Sequence, residues 1–332
     1  MNSDPSIDGV FIQWGERLFY PRNRIVKANT PRVHPTSHRA AVIRTRIEAT
    51  VRRAPQVMVK VTGGGRGMAA IAAHFRYISN NGRLDIEDDR GAVERGKDVL
   101  RDIERQWSFG GAYIGDEGHR REAFNIMLSM PRGTDPLIVQ RAARDFAKMG
   151  FADHRYVMVL HDHQANPHVH LSVKAESKHG KRLNPRKADL HRWRETFAHR
   201  LREWGVDAEA SRQATRGEHR NRDTLWRIKA KEEGRQHSRR PSVKVGASVK
   251  LSREESLAAW KQIAMALANS TVRDDQVLAR QIVEFVKDMP MLQRAALPPR
   301  DVERTRHRAR EHAPQTGTAA VKSTRVEPQW ER

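Results

Sequence analysis

Cysteine is absent from this 332-residue chain, which removes disulfides, thiolate zinc sites and cysteine nucleophiles together. Any metal therefore has to rest on His, Asp or Glu. Long apolar runs are missing too, since none approaches the roughly 18 residues that a membrane helix needs. The opening MNSDPSIDG carries no basic stretch followed by an apolar one, so the expectation is a cytoplasmic protein. The glycines at 63–65 and 67 are followed by Met68 and not by Gly-Lys-Ser/Thr, which excludes a Walker loop and leaves the dinucleotide fingerprint incomplete. Ser129 lacks the G-x-S-x-G elbow of a serine hydrolase. Tyrosine is scarce, with four in all: Tyr20, Tyr77, Tyr113 and Tyr156.

Positive charge is what the chain has in excess. Its 62 Lys and Arg against 40 Asp and Glu leave a formal net charge of +22, more than solubility asks for, and a polyanion such as nucleic acid is the partner that this balance suits.

Composition divides the chain. Residues 1–54 mix Pro, Asn, Thr and many Arg without a sustained period and read as a mobile basic arm. Residues 55–215 alternate strand-like and helix-like patterns, as a folded catalytic domain does. A strand at QVMVKVT precedes a helix striped with Met68, Ile71, Phe75 and Ile78. A short strand near Leu84 and Ile86 and a helix over 92–107 follow, then a strand over 123–130 and a helix that Thr134, Asp135 and Pro136 start and Gly150 stops. RYVMVLH and HVHLSVKA form a hairpin across the polar segment DHQANP, and Asn184 with Pro185 starts a last helix, striped with Trp193, Phe197, Leu201 and Trp204. Residues 216–250 read as a basic helix and linker, 251–290 as a helical pair begun by a Ser252–Glu255 capping box, and 291–332 as a disordered basic tail.

The chemistry concentrates in His161-Asp162-His163-Gln164-Ala165-Asn166-Pro167-His168-Val169-His170. Alternation along a strand turns His168 and His170 to one face and Val169 to the other, and an antiparallel return sets His161 beside them. Three imidazoles from two paired strands can hold a divalent ion with coordination positions to spare, which suits catalysis better than stapling. His163 reads as a possible supporting group, and Asp162 equally as the carboxylate that orients an imidazole. Tyr77 is the candidate nucleophile, because it lies off the apolar stripe of its helix and beside the small Ala70 and Ala73. Arg66 in the glycine cluster, Arg132, Lys178, Lys181, Arg182, Arg186 and Lys187 are candidate phosphate contacts, and Phe75 or Trp107 is a candidate base-stacking ring.

The tyrosine in HFRYIS-NNG, the strand ending LSMPRGTDP and the H-x6-H-x-H hairpin with proline before its second histidine resemble the relaxase and mobilisation nucleases of the histidine-hydrophobe-histidine superfamily. The resemblance is notably to the group related to the T-DNA border endonucleases. The resemblance covers roughly residues 56–215. It implies an α+β fold with a central antiparallel sheet flanked by helices, and Mg²⁺ or Mn²⁺ on His161, His168 and His170. It further implies that Tyr77 forms a 5′-phosphotyrosine at an origin of transfer on single-stranded DNA, and that relaxosome accessory proteins and a type IV coupling protein are partners. Such a protein is bacterial and cytoplasmic, with export alongside the DNA as a further implication. Many members carry an acid where His163 stands, and Asp162, Glu87, Asp88 or Asp89 is a candidate to replace it. Two alternatives stay open on sequence: a DNA-binding accessory or initiator-like protein that does not nick, and a His-site metallohydrolase that uses water.

Counterion release gives the charge reading a test. Affinity for a single-stranded oligonucleotide, followed by fluorescence anisotropy, is expected to fall at least about tenfold between about 50 and 200 mM salt. A flat profile contradicts a phosphate-contacting surface.

Overall fold

The computed structural model describes residues 7–20, 36–218, 234 and 246–293. Six strands form one sheet: β1 (Met58–Gly63), β2 (Ile86–Asp88), β3 (Val93–Glu94), β4 (Ala123–Ser129), β5 (His154–His161) and β6 (His168–Ser177). Their spatial order is β1-β4-β6-β5-β2-β3, and every neighbouring pair is antiparallel. The helices are α1 (Ile7–Val10), α2 (Glu16–Phe19), α3 (Thr36–Val51), α4 (Met68–Ile78), α5 (Lys97–Phe109), α6 (Pro136–Gly150), α7 (Lys187–Glu203), α8 (Ala247–Ala268), α9 (Arg273–Lys287) and α10 (Pro290–Gln293), with a π turn at Phe11–Gly15 between α1 and α2. This is the α+β architecture with an antiparallel sheet flanked by helices.

β6 lies inside the sheet, and alternation along it separates core from chemistry. Val169, Leu171, Val173 and Ala175 enter an apolar core with Phe146 of α6 and Phe197 and Leu201 of α7. His168, His170, Ser172 and Lys174 take the opposite face, where α4 and α5 pack Phe75, Ile78 and Trp107 on Val157 and Val159 of β5. The two faces thus need different residues, and the pattern HVHLSVKA supplies both.

Local signals account for most boundaries. Asp135 caps α6, its side chain accepting from Leu137 N at 2.8 Å ahead of Pro136. The helix expected over 92–107 starts later, at Lys97, because β3 pairs with β2 and Gly96 takes φ 129°. α7 starts at Lys187, after Asn184 and Pro185, with the Asp189 carboxylate accepting from Arg186 N at 2.7 Å. α8 starts at Ala247, so Ser252 and Glu255 lie inside the helix, where Ser256 Oγ donates to Ser252 O at 2.9 Å.

The mobile arm expected over 1–54 is not what its described part forms. Ala40, Ile43 and Ile47 of α3 share a core with Phe11, Leu18 and Phe19 and, from the far end of the chain, Trp260, Ile263, Leu278, Ile282 and Phe285 of α8 and α9. The arginines that suggested disorder find acids distant in sequence. Arg44 meets Asp275 at 2.6 Å, and Arg46 meets Glu195 and, at 3.0 Å, Glu209. The resulting helical module joins the sheet domain through Trp260 Nε1, which donates to Thr215 O at 2.9 Å, and Arg212 Nε, which donates to Leu18 O at 2.9 Å. Most of the expected basic helix and linker over 216–250, and all of the tail expected over 291–332 except its first three residues, lie outside the described residues.

Arg46 sits at the seam of the two bodies beside Glu209, which is 1% exposed. Removing the cation leaves the buried Glu209 with only the more distant Arg202, at 3.7 Å, and Glu195 with His191, so Arg46→Ala is expected to cost about 3–5 kcal/mol in urea unfolding. The double variant Arg46→Met/Glu209→Gln should recover part of it. A loss under about 1 kcal/mol for Arg46→Ala, the range of an exposed pair, contradicts this reading.

Candidate metal centre and nucleophile

The hairpin register builds the centre. His161 ends β5 directly opposite His168, which begins β6, and Val159 pairs with His170. All three histidines are buried. Their ring centroids are 4.6 to 5.0 Å apart, and one donor nitrogen from each lies within 4.8 Å of the others.

Hydrogen bonds leave lone pairs inward. His161 Nε2 sits 2.6 Å from Ile78 O and His168 Nδ1 sits 3.0 Å from Asn166 O. Each of these nitrogens donates to a carbonyl, so the other nitrogen of each ring is an acceptor, the second-shell arrangement that prepares an imidazole for a metal. His161 Nδ1 and His170 Nδ1 are buried with no partner, an expensive state for a polar atom unless a ligand meets it. The set therefore fits a divalent ion. Burial pushes His170 down to about 3, with repulsion from His161, His168 and His74 adding to it, and burial lowers His161 as well. Both shifts favour the neutral imidazole in His161 and His170.

α4 brings the phenol. It buries Met68, Ile71, Phe75 and Ile78 and leaves Tyr77 72% exposed. The helix ends because Asn80 and Asn81 take φ 50° and 58° and Gly82 takes φ 81°, left-handed backbone that Asn and Gly tolerate best. Ser79 Oγ meanwhile donates to Phe75 O at 2.7 Å and accepts from Gly82 N at 3.0 Å. That stop holds the Tyr77 ring edge-on to His170, with centroids 6.3 Å apart. Tyr156 is buried in the core, and Tyr20 bonds to Arg46 in the helical module.

His74, one turn before Tyr77, escaped the sequence reading. Its ring stacks on Tyr77 at 6.3 Å and lies 6.2 Å from His170, its Nε2 is buried without a partner, and burial holds it down to about 4. The i, i+3 spacing from Tyr77 was the available signal.

His163 is exposed, its ring 5.2 Å from that of His161, and Asp162 is exposed beside it. The acids offered as substitutes are occupied elsewhere. Glu87 pairs with Arg144 on the opposite face of the sheet, Asp88 closes a turn by accepting from Arg90 N and Ala92 N, and Asp89 lies 4.0 Å from Lys178.

The seven basic candidates do not form one patch. Arg132 is at the rim of the centre, its backbone N donating to Asn166 Oδ1 at 3.0 Å. Arg66 is exposed in the loop before α4. Lys178 and Lys181 are exposed beyond the far end of β6, roughly 30 Å along the strand from His168. Arg182 is held by Glu122 and Glu176, and Arg186 and Lys187 stand at the start of α7, a helix of the opposite layer.

Residues 77–206 match the family described as Relaxase: MobA/VirD2-like, nuclease domain. These residues are similar to a relaxase nuclease domain. The match opens at Tyr77 and spans the whole histidine hairpin, while β1 and the first turns of α4 complete the same sheet and its helical cover from outside it. A search of curated proteins gives no match. The matched family is one of nuclease domains, and no helix among the described residues is long and apolar enough to cross a membrane.

Buried and half-buried histidines make the fold sensitive to acid. His170, His74 and His191 titrate in the fold at about 3, about 4 and about 4, below the ordinary 6.5. The unfolded chain binds protons that the folded one refuses, so the stability they support is present above pH ~6.5 and is lost as pH falls through the folded values. Scanning calorimetry in chelator should show Tm falling steadily from about pH 6.5 to 4, with a shallower fall in His191→Gln. A Tm constant over that range contradicts the burial of these rings.

Proposed function

We propose that this chain nicks one DNA strand at a plasmid origin of transfer, retains the strand as a 5′-phosphotyrosine on Tyr77, and reseals it after transfer. The reading rests on one observation: an exposed phenol stands edge-on to a buried imidazole of a three-histidine cluster, 6.3 Å between centroids.

His161, His168 and His170 would hold a divalent ion, Mg²⁺ or Mn²⁺, which when bound supplies positive charge against that of the phosphate and polarises its oxygens. The chain's own residues do the rest. The Tyr77 oxygen forms a bond to phosphorus, the bond from phosphorus to the 3′ oxygen breaks, and the leaving oxygen takes up a proton. The phenolic proton passes to water, which the exposure of the ring admits. His74 packs against the ring on its own helix and fixes where the phenol stands. Arg132 is the candidate contact to the flanking phosphate, and His163 with Asp162 supplies polar groups beside His161. Because the phosphotyrosine conserves the energy of the broken ester, the 3′ hydroxyl can reverse the step.

Accessory proteins of a relaxosome and a type IV coupling protein are proposed partners on family resemblance alone. The helical module is the surface left to them. Cutting the chain after Lys250 would take Trp260 and Ile263 out of the core that α3 shares, so surface substitutions on the module suit that question better than a deletion.

The test uses a labelled single-stranded oligonucleotide carrying the origin sequence. With Mn²⁺ or Mg²⁺ the full chain should acquire a covalent adduct that survives denaturation, Tyr77→Phe should form none, and His170→Ala should lose at least about a hundredfold in rate. Cleavage without an adduct selects hydrolysis by water, and binding that persists in chelator with no cleavage selects a non-nicking binder. Either result overturns the proposal.

A further inference from the structure

The rings expected to stack on bases are not available. Phe75 and Trp107 are each 2% exposed and pack edge to face at 4.9 Å. A different pair is offered to solvent. Phe109, which ends α5, and Tyr113 are 72% and 68% exposed, and their rings lie 5.6 Å apart, inclined by 38°. Between them in sequence runs Gly110-Gly111-Ala112, and these residues with Arg155, Lys174 and Lys178 line a cavity of about 440 Å³.

This groove is held in shape by specific contacts. Lys174 Nζ donates to Trp107 O and Gly110 O, each at 3.0 Å, which spends its charge on pinning the loop. Gly111 takes φ 112°. A Cβ at Gly110 would clash with the backbone oxygen of Gln106, so the glycine is what lets the chain turn this tightly at the end of α5, and the Arg155 guanidinium lies against the same spot.

Charge in the groove is net positive. The carboxylate in its lining, Glu176, is held by Arg182 at 3.1 Å. Arg155 donates to the neutral amide oxygen of Gln106 at 3.4 Å, and Lys178 is exposed with Asp89 at 4.0 Å. The groove also shares a face with the metal centre. Lys174 and His170 project from the same side of β6, four residues and roughly 13 Å apart along the strand.

We propose that Phe109, Tyr113, Arg155 and Lys178 form a second contact for single-stranded DNA beyond the nicking centre, with bases stacked on the two rings and phosphates paired with the two cations. Every base has a π face, so such a platform holds a strand whatever its sequence. The inference rests on the DNA-nicking reading above.

Full-length protein is titrated in chelator against a labelled oligothymidine of about 30 nucleotides, read by fluorescence anisotropy. Phe109→Ala/Tyr113→Ala should bind about tenfold more weakly, Phe109→Trp/Tyr113→Trp should retain affinity, and the thermal unfolding of both should match wild type because the rings are exposed. If wild type binds and the double alanine variant binds equally well, the platform is overturned and the nicking reading stands. If wild type binds no single-stranded DNA at all, both fall.

Discussion

One hydrogen bond, from His161 Nε2 to the carbonyl oxygen of Ile78 at 2.6 Å, ties the helix that carries Tyr77 to the hairpin that carries the imidazoles. It accomplishes three things at once. The last turn of α4 has carbonyls without helical partners, and the histidine satisfies one of them. The bond fixes the His161 tautomer, so the inward nitrogen is an acceptor. It also sets the distance between nucleophile and cluster, because Tyr77 is the residue before Ile78. Without it the phenol and the imidazoles would belong to elements that merely pack nearby.

The sheet makes that bond possible by dividing labour between its faces. Val169, Leu171 and Val173 secure β6 to α6 and α7, so the histidines on its other side do not have to hold the fold together. Their buried, unpartnered nitrogens are a cost that the apolar face offsets. The Arg46, Glu195 and Glu209 group at the seam of the two bodies follows the opposite logic. There each buried charge has its counter-charge, and the group positions one body against the other without exposing reactive atoms.

Much of this was legible in the sequence, for identifiable reasons. The hairpin could be read because a period of two, a six-residue polar loop and proline before His168 are local signals. The exposure of Tyr77 followed from a helical stripe that excluded it. The N-terminal helices could not be read in this way. Their arginines are neutralised by Glu195, Glu209 and Asp275, and their apolar residues find a core more than two hundred positions away, which no local window of composition can see. The proposed acids Glu87 to Asp89 failed for a related reason, since strand register, and not proximity in sequence, decides which face and which partner a carboxylate meets. His74 was overlooked because its neighbours in sequence are apolar core, while its neighbours in space are Tyr77 and His170.

The central claim is that the phenol and the three imidazoles share one reaction centre. Anomalous diffraction from a crystal of the full chain soaked with Mn²⁺ addresses this most directly. The account predicts a single strong peak bonded to nitrogens of His161, His168 and His170, with the Tyr77 hydroxyl facing it across a space that one phosphate fills. A peak elsewhere, no peak at the cluster, or a Tyr77 ring turned away from His170 would contradict it.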